Sequence, residues 1–151
     1  MNSLESLKAK GQLHVVLTSA DGSVKEDHLL PNLVVTSGLN FIVSRMKDAT
    51  DSAMSHMSVG TGTTAAAAGN TTLEAEIAGS RVALTSTTLG AGQIVYVASF
   101  AAGVGSGAIS ESGIMNASSA GTLLCRTVFP VVNKQADDSM TITWTITVAS
   151  T

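Results

Sequence analysis

Charge, cysteine, proline and aromatic residues are all scarce in this chain of 151 residues. Asp, Glu, Lys and Arg make up 13% of it, and 44% is hydrophobic. An average domain is about 25% charged. Disordered chains are polar and highly charged, so this composition predicts a folded protein. The length fits one domain, which can bury roughly 70% of its unfolded surface without a disulfide or a metal.

Several classes of protein are excluded by what is scarce. The single cysteine, Cys125, cannot form an intrachain disulfide, so we expect no disulfide framework. The net charge of −3 argues against a nucleic-acid partner, which calls for a basic patch. No apolar run approaches the roughly 18 residues of a membrane span. The N-terminal residues lack the apolar core of a signal peptide, so we expect synthesis in the cytoplasm and no membrane partner.

No pattern in the sequence predicts catalysis. The three histidines, His14, His28 and His56, lack the close spacing of a metal site. The stretch Gly60–Ala65 fits the G-x-G-x-x-A phosphate-binding fingerprint, but no parallel βαβ pattern surrounds it. A glycine-rich turn after a strand explains it better. Glu111 has no obvious carboxylate partner for acid–base work, and we expect it to pair with Arg81 or Arg126. The chain is therefore predicted to be no enzyme and to need no cofactor or metal.

Charge is distributed unevenly along the chain. Of the 52 residues from Val82 to Asn133, only Glu111 and Arg126 are charged. A monomer usually intersperses charges over its solvent face to remain soluble. Two interpretations stay open: other subunits cover this region, or a Ser- and Thr-rich surface keeps it soluble without charge.

The pattern predicts an all-β fold, an antiparallel β-sandwich or jelly roll of short strands. Asp21-Gly22 is a strong hairpin signal between two β-branched segments. The segment Ser139–Val148 alternates apolar residues and threonines without error, as a half-buried antiparallel strand does. The predicted strands are Gln12–Thr18, Ser23–Leu30, Ser55–Val59, Arg81–Thr87, Gly92–Ala101, Ala108–Met115, Thr122–Val132 and Ser139–Val148.

One short α-helix is predicted at about residues 37–47, packed on the sheet. An apolar stripe at helical spacing marks the side that should face the sheet. Ser37 is the expected cap, and Lys47 should lie near the helix end. The stripe consists of Leu39, Ile42, Val43 and Met46. A second helical turn is predicted after a capping box, Thr71 to Glu74.

Residues 1–11 are predicted to form an N-terminal arm before a single sandwich domain at 12–151. Leu4 and Leu7 have helical spacing, and Lys8 and Lys10 lie beside them. These four residues are candidate partner contacts if the arm orders on a partner. The alternative is a frayed terminus, since chain ends are loose unless docked.

Val95 and Val97 are also candidate partner contacts. They lie on the second face of a strand whose first face is already apolar. Either the predicted helix or a neighbouring subunit would cover them, and the sequence does not separate these two possibilities.

Four sequence blocks resemble structural proteins of tailed-bacteriophage virions. The segment Met57–Ala65 (MSVGTGTTA), with Thr72-Leu73 and Arg81 after it, is similar to the family stretch GTGTTA…DTAL…E…R. Gly107–Ala117 is similar to its ITEAGLFNA segment, and Gly121–Phe129 to its G.LLARTVF strand. The order and spacing agree over roughly residues 32–148. Asn70 and Ser110 depart from the family, which commonly has Asp and Thr there.

The resemblance implies a virion protein with a β-sandwich or jelly-roll core. The first expectation is a capsid decoration, or cement, protein on the capsid exterior, bound across major capsid protein subunits as a homo-oligomer, a trimer. The second is a tail-associated subunit of a fibre, baseplate or adaptor, although the chain has no repeat from which a fibre shaft is built. The third is a carbohydrate-binding sandwich for surface attachment, which the scarcity of aromatic residues disfavours.

Overall fold

The protein folds as an antiparallel β structure with one short helix. The computed structural model describes residues 6–150. Strands take up 53% of the described residues and helix 6%, which confirms the predicted fold class. The elements, in chain order, are β1 (Leu7–Thr18), β2 (Val24–Val34), α1 (Thr36–Ser44), β3 (His56–Gly60), β4 (Val82–Ala83), β5 (Ser86–Gly90), β6 (Gln93–Phe100), β7 (Gly107–Met115), β8 (Leu123–Lys134) and β9 (Ser139–Ser150).

The nine strands form a single sheet that curls into two layers. Their order is β4-β3-β7-β8-β2-β1-β9-β6-β5, and all neighbours are antiparallel. The turn between layers is at β2, which pairs with β1 along most of its length but with β8 only through Leu33 and Val34. The layer β2-β1-β9-β6-β5 therefore packs over the layer β8-β7-β3-β4, and their inner faces enclose the core.

Strand β9 follows its sequence pattern closely. Met140, Ile142, Trp144 and Ile146 are buried in the core. The alternating threonines point to the outer face of the sheet, where they are exposed or half-buried. The hairpin predicted at Asp21-Gly22 is also present, with Gly22 at a φ of 89°. Both predictions are confirmed, because in each case local chemistry and the wider fold favour the same structure.

The predicted N-terminal arm is wrong over residues 7–11, which form the beginning of β1. They pair with the end of β9, from Leu7 opposite Ser150 to Gly11 opposite Ile146. The physical reason is that Leu7 and Ala9 continue the inward-facing series of β1, and the long β9 offers backbone partners to that series. The proposed boundary between 1–11 and 12–151 cuts a strand. Leu4 lies outside the described residues.

Helix α1 spans Thr36–Ser44, shorter than predicted, and packs on β8. Its inward face is set by Gly38, because a Cβ there would lie 2.0 Å from the Leu124 carbonyl oxygen. Val35 is the N-cap residue, and Ser37 instead donates a hydrogen bond to the Leu123 carbonyl, 2.7 Å away. The predicted cap is therefore wrong, and Lys47 lies beyond the helix.

The predicted inward stripe of α1 is also wrong in part. Phe41 and Ile42 pack against the core, whereas Leu39, Val43 and Met46 are exposed. The close contact at Gly38 fixes the rotation of the helix so that Leu39 and Val43 face outward, and Met46 lies in the turn after the helix.

Candidate functional site

The four blocks behind the virion-protein resemblance converge on a buried ion pair. Arg126 Nε donates to Glu111 Oε2 over 2.8 Å, and both side chains are almost fully buried. The remaining nitrogens of Arg126 donate to Asn70 Oδ1 (3.0 Å) and the Thr64 carbonyl (3.1 Å). Of the two pairings proposed from sequence, Glu111 with Arg126 is confirmed, and Arg81 instead pairs with Glu76 at 2.7 Å.

Glu111 also holds the glycine-rich loop in place. Its carboxylate accepts hydrogen bonds from the backbone N–H groups of Gly62 (3.1 Å), Glu74 (3.0 Å) and Ala75 (2.7 Å). A Cβ at Gly62 would lie 2.5 Å from Glu111 Oε1, so only glycine permits this approach. The loop does cradle an anion, and that anion is the protein's own carboxylate rather than a phosphate.

The predicted helical turn at Thr71–Glu74 is wrong. This segment is irregular, and the Glu74 carboxylate accepts from the N–H groups of Thr63 (3.1 Å) and Thr64 (3.4 Å) across the loop. A hydrogen bond from the Thr64 side chain, together with these backbone bonds, holds the pKa of Glu74 below its usual value. Glu74 therefore stabilises the glycine-rich loop and does not cap a helix.

The segment Val82–Asn133, in which charged residues are scarce, consequently contributes no charge to the surface. Its two charged residues, Glu111 and Arg126, are 0% and 1% exposed and satisfy each other. Glu111 and Arg126 therefore have a structural role inside the fold and offer no charge to a partner.

An apolar groove of about 350 Å³ opens at one end of the sandwich, between α1 and the inner face of β6 and β9. Its helix side is formed by Phe41 and Ile42. Its sheet side is formed by Leu89, Ile94, Tyr96 and Val148. We call these six residues the apolar groove.

Exposed apolar side chains stand around the apolar groove. Leu89 and Val148 both line it and are 80% and 36% exposed. Val43 and Met46, 63% and 85% exposed, do not line it, because Val43 is on the opposite side of α1 and Met46 lies in the turn after the helix. Contiguous exposed apolar surface of this kind marks an interaction site more often than it marks an ordinary monomer surface. The arrangement therefore suits a protein partner that inserts apolar side chains.

The electrostatics of the apolar groove are simple. Arg45 lines it, lies 5.7 Å from the Phe41 ring centre and donates to the Asp51 carbonyl over 2.7 Å. Burial raises the pKa of Tyr96 to about 12, so its hydroxyl stays neutral near pH 7. One cationic side chain beside an otherwise neutral wall offers no acid–base chemistry.

The sequence-predicted contact residues in β1 lie at the same end of the molecule as the apolar groove. Leu7 is 77% exposed and projects to the inner side, like Ala9. Lys8 and Lys10 project to the outer side of the sheet. They belong to a paired strand, so deletion of Met1–Lys10 would remove structure as well as a contact.

Val95 and Val97 lie on the outer face of the sheet, away from α1. They stand opposite Thr145 and Thr143 of β9 and are half-buried. The helix therefore does not cover them, which removes one of the two explanations offered by the sequence. Whether a subunit covers them stays a prediction.

Two of the three histidines contact neighbouring carboxylates, and His56 contacts the Ser55 hydroxyl. His14 Nε2 lies 2.7 Å from Asp27 Oδ1, and His28 Nε2 lies 3.1 Å from Glu26 Oε1. Within residues 6–150, no three His, Cys, Asp or Glu side chains are grouped to hold a metal ion. No helix in that part of the chain has the length and hydropathy to cross a membrane.

Comparison with known proteins gives no relative. No family model, no curated protein and no solved structure matches this chain. Function must therefore be argued from the geometry and from the sequence resemblance.

Sequence reasoning missed the apolar groove. Its residues come from a helix face assigned to the core and from a strand end, and only the three-dimensional fold unites them. The one available signal was that α1 is apolar on more than one side, at Phe41 as well as at Val43.

Proposed function

We propose that this chain is a structural protein of a tailed-phage virion, a capsid decoration protein that binds across subunits of the major capsid protein. The observation that carries the proposal is the apolar groove, with the exposed side chains of Leu89 and Val148 in its lining. The proposal places the chain on the capsid exterior after synthesis in the host cytoplasm. The sequence resemblance supplies the class of partner.

A protein partner fits this surface better than a sugar does. Carbohydrate sites need exposed aromatic rings, but Trp144 is fully buried and Tyr96 is 5% exposed. The apolar groove is wide enough for a few aliphatic or aromatic side chains of a partner. Each contact would be of modest size, and strength would come from many copies on a repeating shell.

The internal architecture supports a role in resisting mechanical load. The Glu111–Arg126 pair ties the loop at Thr64 and Asn70 to two central strands, β7 and β8. Long strands β1 and β9 pair over twelve residues each. A scaffold cross-linked in this way suits a protein that holds neighbouring subunits together.

The proposal is tested by binding of purified chain to capsids that lack it. Leu89→Asp places a carboxylate in the apolar groove and should weaken capsid binding tenfold or more, about 1.4 kcal/mol. Leu29→Asp is the matched control, because Leu29 lies on the outer face of β2, is not in the groove lining and is also largely exposed, 62% against 80% for Leu89. Circular dichroism should show both variants folded.

Two results would contradict the proposal. Equal capsid binding by Leu89→Asp and the wild type would remove the apolar groove from the contact. Binding of the wild type to isolated tails and not to capsids would move the protein to the tail-associated class.

A further inference from the structure

Strand β5 ends the sheet with an open edge. It pairs only with β6, and all five of its residues are exposed. Half of the N–H and C=O groups of such a strand point away from its partner. In the described part of the chain, no backbone hydrogen bond joins that outer edge to another segment.

This edge lacks the features that prevent strands from associating. Natural edge strands carry lysine, proline or bulges that stop another strand from adding. Strand β5, with the sequence Ser-Thr-Thr-Leu-Gly, carries none of these. The chain does use such features elsewhere: the part of β2 not paired with β8 contains Lys25, Glu26, Asp27 and Pro31.

The outer face next to β5 is equally free of charge. From β5 across β6 to β9 the outward-facing residues are Ser86, Thr88, Gly90, Gln93, Val95, Val97, Ser99, Thr141, Thr143, Thr145 and Thr147. The other half of the same face, on β1 and β2, carries Lys8, Lys10, His14 and Asp27. The boundary between the neutral and charged halves runs between β9 and β1.

We propose that β5 pairs antiparallel with β5 of a second copy of this chain, so that two sheets join across a two-fold axis. A neutral edge is desolvated at low cost only against another neutral surface, since burial of an unpaired charge is unfavourable. A second copy supplies an identical neutral edge, and a two-fold axis makes the contact self-complementary. A register with Thr88 opposite its own copy places Ser86 opposite Gly90.

This contact gives a dimer, whereas the virion-protein resemblance implies a trimer. A two-fold edge pair uses the same surface on both copies and cannot close a three-fold ring. The two assemblies are therefore distinguished by mass alone. The inference does not depend on capsid attachment, so either proposal can fail while the other stands.

Sedimentation equilibrium of the purified full chain tests the pairing. The wild type should show twice the 15.3 kDa chain mass, with a monomer appearing on dilution. Thr88→Lys introduces a protecting lysine at the edge and should shift the protein to the monomer mass. Val24→Lys adds the same charge at an exposed residue of β2 and should leave the dimer intact.

Amide hydrogen exchange locates the contact. In the dimer, amides of β5 should exchange slowly, and Thr88→Lys should restore fast exchange there while β9 remains protected. A wild-type monomer or trimer at every concentration would overturn the proposal. So would a Thr88→Lys dimer, or a wild-type dimer whose β5 amides all exchange rapidly.

Discussion

Replacing Glu111 by glutamine should be among the most destabilising isosteric changes in this protein. The carboxylate accepts four hydrogen bonds, three from backbone N–H groups and one from Arg126, at 2.7–3.1 Å. An amide presents an NH₂ group to part of this ring of donors. It also leaves the Arg126 guanidinium, 1% exposed, without a counter-charge. Breaking a buried pair by removing one partner costs about 3–5 kcal/mol.

Thermal and urea unfolding measure this loss. In a domain of this size each kcal/mol shifts the melting temperature by about 2–4 °C, so Glu111→Gln should lower it by roughly 6–20 °C. Glu76→Gln is the matched control, because it breaks the more exposed pair with Arg81, and such pairs contribute about 0–1 kcal/mol. A melting temperature of Glu111→Gln equal to that of Glu76→Gln would refute the assigned role of the buried pair.

Three further outcomes are expected. Gly38→Ala should lower the urea midpoint, because the new Cβ would lie 2.0 Å from the Leu124 carbonyl oxygen. This clash outweighs the gain of up to about 1 kcal/mol in helix propensity. An unchanged or raised midpoint would show that α1 is not held against β8. Burial raises the pKa of the Cys125 thiol, so iodoacetamide should label it only after unfolding, and rapid labelling of the native protein would contradict its burial. Hydrogen bonds from Lys25 Nζ and the Gln135 N–H hold the pKa of Asp138 below its usual value. Ionised Asp138 therefore stabilises the fold above its unfolded pKa of about 3.9, and this stabilisation is lost as the pH falls towards the folded pKa. Unfolding midpoints measured at several pH values should fall less on acidification in Lys25→Met than in the wild type. An equal fall in both proteins would contradict the pairing.

Most strands could be predicted from the sequence because their signals are local and strong. The predicted strand Arg81–Thr87 is wrong, because the chain there passes from β4 at one end of the sheet to β5 at the other. The alternation around Trp144 and the turn at Asp21-Gly22 each favour one structure whatever the rest of the chain does. The pairing of Glu111 with Arg126 was accessible for a different reason. A lone carboxylate in a charge-poor segment requires a counter-charge, and few cations are available.

The errors arose where a distant contact decides the local structure. Helix α1 turns its Val43 side outward because Gly38 must approach the backbone of β8. The capping-box pattern at Thr71 is overridden because the N–H groups of Glu74 and Ala75 bond to Glu111, which is far away in sequence. Neither contact has a signature in the neighbouring residues.

The start of β1 and the apolar groove could not be predicted from the sequence, and the cause is the same for both. No pattern in the residues next to Leu7 predicts a strand, but the final residues of β9 pair with it in the sheet. The apolar groove unites Phe41, Leu89 and Val148, which lie far apart along the chain. A surface that combines residues from distant parts of the chain has no sequence motif, so it is recognised only by its exposed apolar area in the folded structure.

The copy number of this chain in purified virions tests the central claim most directly. Quantitative mass spectrometry against the major capsid protein gives the ratio without any assumption about the contact surface. A decoration protein should be present at a ratio near one, or at a simple fraction such as one half or one third. A ratio of a few per cent would contradict the proposal and would place the chain in the tail.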